Sequence, residues 1–334
     1  MDKLLVQIQI IVRVQRENSV NRYLPVNRIE FAITYLCNSK CRHCQLGEEK
    51  ERKNFPSHID KDLAVEIVRK VGKKYNPKSV MTFGGEPLLY PEIVYSIHKE
   101  AMKVGIPVRD VITNGFWSRK TIEIQEIAEK LVKSGVNEAT ISVDCFHQEF
   151  IPVEIVKKAA KSLLKAGIAH ISWDPCWVVF KDHDNPYNRK TKAILEQLKD
   201  LPVEDGEGNN AQPEGRATKW LKDFLPPRIK SPKEKCGDVP YTEELDSVKT
   251  IYVEPDGKIA VCKDFYIGNA SETDIIDIIE NYDPFKIPEA KAIIENGMEG
   301  LINWARTKGV EPDSTGYYNV CHMCIDIRKR VNMA

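Results

Sequence analysis

Apolar residues recur along this chain with two different periods. Between Ile151 and Gly167, the residues Ile155, Val156, Ala159, Ala160, Leu163 and Leu164 fall three and four apart, with Pro152 at the entry and Gly167 at the exit. That period predicts an amphipathic helix with a proline start and a glycine stop. Similar patterns predict helices at 61–74, 91–104, 121–134 and 188–199, and short β-rich runs at 28–34, 79–83, 108–113, 139–143 and 169–180 separate them. Repeated strand–helix units predict an α/β fold built on a parallel sheet with right-handed crossovers, whose ligands sit at the C-terminal ends of the strands. Residues 4–14 alternate enough to predict one more strand within an N-terminal extension, 1–28.

After about residue 201 the regular pattern breaks, first at Glu204-Asp205-Gly206-Glu207-Gly208-Asn209-Asn210 and again at Pro226-Pro227, which places a boundary near residue 225. The expected organisation is a core over 29–224 and a smaller C-terminal domain over 225–334. Within the latter, Thr250-Ile251-Tyr252-Val253, the turn Glu254-Pro255-Asp256-Gly257 and Lys258-Ile259-Ala260-Val261 read as a β-hairpin.

Charge and cysteine usage narrow the classes. Of 334 residues, Lys plus Arg number 49 and Asp plus Glu 49, so the formal charge is zero and there is no broad basic footprint for a nucleic-acid backbone. No apolar run reaches the roughly 18 to 20 residues that span a bilayer, and no signal-peptide layout opens the chain, so no membrane partner is expected. Nine cysteines in a leaderless chain point to a reducing cytoplasm and to metal ligation rather than disulfides.

Three of those cysteines stand in Cys37-Asn38-Ser39-Lys40-Cys41-Arg42-His43-Cys44, directly after the first strand. Three thiolates on one short loop can hold three irons of a [4Fe–4S] cube and leave the fourth open to a small molecule. Zinc is the bland alternative, with His43 and His147 as further ligands. Gly84-Gly85-Glu86-Pro87 follows the second strand, Thr113-Asn114-Gly115 the third and Ser142-Val143-Asp144 the fourth, and Pro213-Glu214-Gly215-Arg216-Ala217 lies further on. Glycines admit close backbone approach, and a carboxylate such as Glu86 pairs with an ammonium.

Taken in this order, the motifs resemble those of the radical S-adenosylmethionine (SAM) superfamily. The resemblance implies a partial (β/α)6 barrel in which the cluster on Cys37, Cys41 and Cys44 reductively cleaves SAM to a 5'-deoxyadenosyl radical. It also implies that SAM is bound near Gly84, Gly85, Glu86, Pro87, Asn114, Ser142, Asp144 and Arg216. His43 departs from the aromatic residue usual before the third cysteine. Cys236, Cys262, Cys321 and Cys324 resemble the ligands of the auxiliary [4Fe–4S] cluster in a shortened extension of the SPASM type, called twitch; a structural zinc on the same thiols is the alternative. Cys145 and Cys176 remain over. Cys145, in Asp144-Cys145-Phe146-His147-Gln148-Glu149, is a candidate hydrogen-atom donor or ligand to substrate with Cys176 as competing donor, and His147 or Glu149 a candidate for proton transfer; the alternatives are a small buried side chain for Cys145, a hydrogen-bonded loop residue for His147 and a core or substrate-wall position for Cys176.

The expected function is a radical SAM enzyme that abstracts a substrate hydrogen, with peptide maturation (epimerisation, thioether or cross-link formation) as first substrate class and flavodoxin or ferredoxin as electron donor. The alternatives are a small-molecule or cofactor-biosynthesis radical SAM oxidoreductase, and a non-catalytic iron–sulfur or zinc scaffold.

Overall fold

The computed structural model describes residues 20–48, 52–239 and 242–333. The strand expected at 4–14 lies outside them. Strands β1 (Arg28–Thr34), β2 (Ser79–Gly84), β3 (Val108–Thr113), β4 (Glu138–Ser142) and β5 (His170–Asp174) pair in parallel in chain order. Helices α1 (Lys61–Tyr75), α2 (Pro91–Lys103), α3 (Thr121–Lys133) and α4 (Val153–Ala166) connect them. Each helix follows from its sequence signals. Asp60 caps α1 by accepting from Leu63 N at 2.8 Å, Pro91 opens α2, and Gly167 takes the left-handed conformation that stops α4.

The run expected as one strand at 169–180 divides. Pro175, which has no N–H to donate to a ladder, separates β5 from the two-residue β6 (Cys176–Trp177). Helix α5 (Pro186–Glu196) follows, and then two short parallel pairings: β7 (Glu204–Asp205) on β5, and β8 (Asn209–Asn210) on β6. A single turn, α6 (Ala217–Trp220), comes next.

The C-terminal hairpin is present as β9 (Thr250–Val253) and β10 (Lys258–Cys262), and β11 (Phe265–Asn269) pairs beyond it. It does not stand apart from the core sheet. β9 runs parallel to the free side of β1, Arg28 opposite Thr250 through Phe31 opposite Val253, which gives the continuous order β11-β10-β9-β1-β2-β3-β4-β5-β7. Helices α7 (Ile275–Glu280), α8 (Pro288–Thr307) and α9 (Val320–Met333) complete this half. Ion pairs from α1 fasten it, Lys70 to Asp274 at 2.6 Å and Lys74 to Glu280.

Alternation along the strands gives the sheet two characters. Ile29, Phe31, Val80, Val111, Ile141 and Trp173 share one face and are buried. Glu30, Asp110, Thr140 and Tyr252 lie on the opposite face, where Thr140 donates to Asp110 at 3.3 Å. Among the described residues no helix is long and apolar enough to cross a membrane.

Candidate functional site

All the chemistry-bearing motifs of the core fall at the C-terminal ends of the strands. β1 ends at Thr34 and runs straight into the cysteine loop. The Gly84-Gly85-Glu86 turn is zipped to that exit by two backbone bonds, Gly85 N to Thr34 O at 2.7 Å and Glu86 N to Leu36 O at 2.9 Å. Gly84 has φ near +138°, which side chains rarely tolerate, and a Cβ there would meet Thr34 O at 2.3 Å.

Glu86 is buried and turns inward. Its carboxylate accepts from Thr113 Oγ1 at 2.8 Å, Asn114 N at 2.8 Å and Leu88 N at 3.0 Å, which ties the end of β2 to the end of β3. Burial outweighs these bonds and pushes its pKa up to about 7. Asn114 then reaches back with Nδ2 to Asn38 Oδ1 at 2.8 Å and towards Cys37 Sγ at 3.7 Å.

Each thiol of the loop has a hydrogen-bond partner. Cys37 Sγ accepts from Ser39 N at 3.4 Å, Ser39 Oγ lies 3.0 Å from Cys41 Sγ, and the buried Arg52 guanidinium donates to Cys44 Sγ at 3.3 Å and to Gly47 O at 3.0 Å. Burial pushes Cys37 up to about 11, with the neighbouring Cys41 and Cys44 adding repulsion between thiolates. Three sulfurs, two with N–H donors and one beside a hydroxyl, on one loop beside a glycine turn, fit a negatively charged metal–sulfide cluster.

At the end of β4 the fully buried Asp144 gathers four donors: Phe146 N at 2.8 Å, His147 N at 3.0 Å, His147 Nδ1 at 2.8 Å and Cys176 N at 3.0 Å. Burial alone would raise this carboxyl, but the His147 charge and these bonds hold it well below the usual range; the same contact keeps His147 well above its own. Asp144 is therefore saturated from within the chain, whereas Ser142, expected as its partner in binding SAM, stands opposite Asp174 in register. Asp174 in turn accepts from Asn209 Nδ2 at 2.7 Å.

Arg216 closes the circuit. Its backbone N donates to Cys44 O at 2.9 Å and its Nη1 pairs with Glu48 at 3.0 Å, so the Pro213-to-Ala217 segment packs against the cysteine loop. Cys145 and Cys176 are both buried and share one apolar cluster with Cys41, Phe146 and Leu221. The Cys145 thiol is pushed up to about 12 by burial, and Cys176 is raised well above its ordinary value by burial beside Asp144. His43 stacks near Phe146 and His147, at 4.9 and 5.0 Å between ring centroids, and burial lowers it to about 4.

The second thiol group assembles in the C-terminal half. Cys236, Cys262, Cys321 and Cys324 line one small cavity. Burial pushes Cys236 and Cys321 up to about 12 and Cys262 to about 11, and repulsion from the other thiols contributes in each case. Arg328, one helical turn after Cys324, is buried, donates to Lys263 O at 3.4 Å and to Asp264 O, lies 4.3 Å over the Phe265 ring, and lowers the cost of a charged Cys324. Arg52 and Arg328 are the residues that the sequence reading missed. The i, i+4 spacing of Cys324 and Arg328 was a usable signal; Arg52 had none, since a loop decides where it points.

Glu86 yields a direct test. A carboxyl whose folded pKa lies above its unfolded value stabilises fully below the unfolded pKa and loses that contribution as pH rises through the folded one. Between pH 4.5 and about 7 the ligand-free chain loses stability through Glu86, on the order of 3 kcal/mol. Denaturant titrations across this window should show the slope, and Glu86→Gln should remove that part of it while costing stability at acid pH, where its amide N–H₂ opposes an N–H donor. Parallel pH profiles for the two proteins would contradict the assignment.

Residues 31–189, just under half of the chain, match the Radical SAM superfamily. The match supports placing the chain in that superfamily and indicates an enzyme, with its reaction subtype open; the family implies a [4Fe–4S] cluster and SAM. A Methanocaldococcus jannaschii protein named probable GTP 3',8-cyclase is 25% identical over 197 residues, 54% of this chain and 61% of that protein. The Bacillus subtilis protein YydG, whose name provisionally places it in peptide biosynthesis, is 27% identical over 167 residues, 49% of this chain and 48% of that one. The chain thus spans about half to three-fifths of the length of these curated relatives. A solved structure, native anSMEcpe with bound AdoMet and Cp18Cys peptide, aligns over 92% of this chain and 97% of its own with a TM-score of 0.52 at 14% identity, a likeness of fold.

Proposed function

We propose that the protein is a radical SAM enzyme with two iron–sulfur clusters that modifies a peptide. The observation that carries the first part is the pair of backbone bonds between the β1 exit and Gly85-Glu86, which holds the three-thiol loop and the proposed SAM turn as one unit. Cys37, Cys41 and Cys44 would hold the SAM-cleaving cluster, and the Gly84-to-Pro87 turn with Asn114 would hold SAM. When bound, the cluster supplies one electron that breaks the sulfonium bond and starts radical chemistry. The chain orients and shields: Asn114, Ser39 and Arg52 fix the sulfurs, and Glu86 locks the floor of the site. The partial-barrel reading draws support from Arg216, whose bond to Cys44 O joins the loops where the strands themselves are unpaired.

The auxiliary-cluster reading rests on the spread of the four C-terminal thiols. A tetrahedral zinc with Zn–S bonds of about 2.3 Å draws its sulfurs to roughly 3.8 Å from one another. Among the described residues the one group of three ligand atoms mutually within 4.8 Å is Cys41, His43 and His147, so no three of these four sulfurs are gathered as closely as a zinc ion would hold them. Reconstituted protein is expected to bind about eight irons, and a variant with Cys236, Cys262, Cys321 and Cys324 replaced by Ser about four. Equal iron in both would remove the second cluster, and zinc without iron at these thiols would make the site structural.

The peptide substrate draws support from the likeness to YydG, and the cyclase relatives favour a nucleotide as the second reading. Cys145 or Cys176 would then serve as hydrogen-atom donor, His147 would move a proton, and flavodoxin or ferredoxin would supply electrons. Incubating reduced enzyme and SAM with GTP discriminates the two: turnover of GTP coupled to 5'-deoxyadenosine would overturn the peptide reading.

A further inference from the structure

The cysteine loop and the end of β4 together form a second metal-binding geometry, which shares Cys41 with the proposed cluster. Cys41 Sγ and one ring nitrogen from each of His43 and His147 lie within 4.8 Å of one another, close to the roughly 3 to 4 Å separation of ligand atoms around a zinc-sized ion. His147 has its Nδ1 fixed at 2.8 Å by Asp144, which leaves Nε2 for Cys41. A carboxylate behind a histidine is the arrangement that orients imidazole ligands and raises their basicity. Asp144 is itself held by three backbone amides, those of Phe146, His147 and Cys176, which fixes the carboxylate that orients the imidazole. His43 Nδ1 is buried with no hydrogen-bond partner, a costly state for a ring that stands in this group.

We propose that the cluster-free chain binds a single divalent ion of the zinc class at Cys41, His43 and His147. Cys41 cannot ligate the ion and the iron–sulfur cluster together, so the two occupants exclude one another. One thiolate and two imidazoles suit zinc, cobalt or a similar borderline ion, and the fourth position stays open to water. The proposal does not depend on SAM chemistry, since it concerns the chain before any cluster is assembled.

Cobalt(II) added to the full-length, cluster-free protein without oxygen is the probe, because a tetrahedral thiolate–imidazole site gives intense visible absorption. Tightly bound cobalt per chain should fall by one in His147→Ala and in His43→Ala, and the affinity of this site should drop 10- to 100-fold in Asp144→Asn. It should be unchanged when Cys37 and Cys44 are both replaced by Ala. The opposite pattern, loss in the Cys37/Cys44 variant and none in the histidine variants, would place the ion on thiolates and overturn the proposal. Histidine-selective nitrogen NMR of the unaltered chain gives an independent readout should a variant fail to fold: two of the seven histidines should shift on zinc addition, and no shift overturns the site. Zinc-loaded protein should assemble the loop cluster only as zinc is released, and assembly with zinc still on the histidines would refute the exclusion.

Discussion

Formation of 5'-deoxyadenosine should fall to background when Cys37, Cys41 and Cys44 are together replaced by Ala. The loop carries the three thiols on one turn of chain, and each has a partner that holds it: Ser39 N and Asn114 Nδ2 at Cys37, Ser39 Oγ at Cys41 and Arg52 at Cys44. Without the sulfurs there is nothing to hold three irons, and about four should be lost from the roughly eight of the loaded protein. The strands beneath are untouched, so the variant should keep its far-ultraviolet circular dichroism and the iron at the C-terminal thiols. A triple variant that still cleaves SAM at the parent rate would remove the open-iron assignment and with it the proposed reaction.

The second large effect is expected at Gly85, and for a reason other than ligand contact. From the sequence, a side chain at this position is expected to obstruct SAM. The structure shows that it would first strike the protein: a Cβ on Gly85 would meet Leu36 O at 2.0 Å and Leu36 C at 2.6 Å, in backbone that cannot swing aside. Gly85→Val should therefore part β2 from the exit of β1, break the Gly85 N to Thr34 O bond and displace Cys37, at a cost of about 3 kcal/mol or more. Thermal unfolding and iron content should both drop, before any question of SAM affinity. A variant that unfolds at the parent temperature and loads its full iron would show that the two strand exits are not locked together here.

Much of the fold was legible because it is local. The 3.6-residue period and its caps mark α1 to α4 to within a residue or two, since Pro91 and Gly167 act on their own backbone. The thiol spacing, the glycine turn and the hairpin of β9 and β10 are also short-range features. Pro175 shows how such a reading slips: the apolar run at 169–180 looks continuous, and one missing N–H divides it.

What the sequence determined by itself was the set of elements and the reactive groups at their ends, because periodicity, capping and loop spacing act between residues a few positions apart. The tertiary structure alone decided that β9 lies beside β1, that Arg216 closes onto Cys44 O, that Arg52 and Arg328 each stand against a thiol, and that Asp144 aims His147 at Cys41. These contacts join segments distant in the chain or turn on where a loop points. They exist only once the parallel sheet brings the strand ends together, and burial there makes each polar side chain find its partner inside the protein.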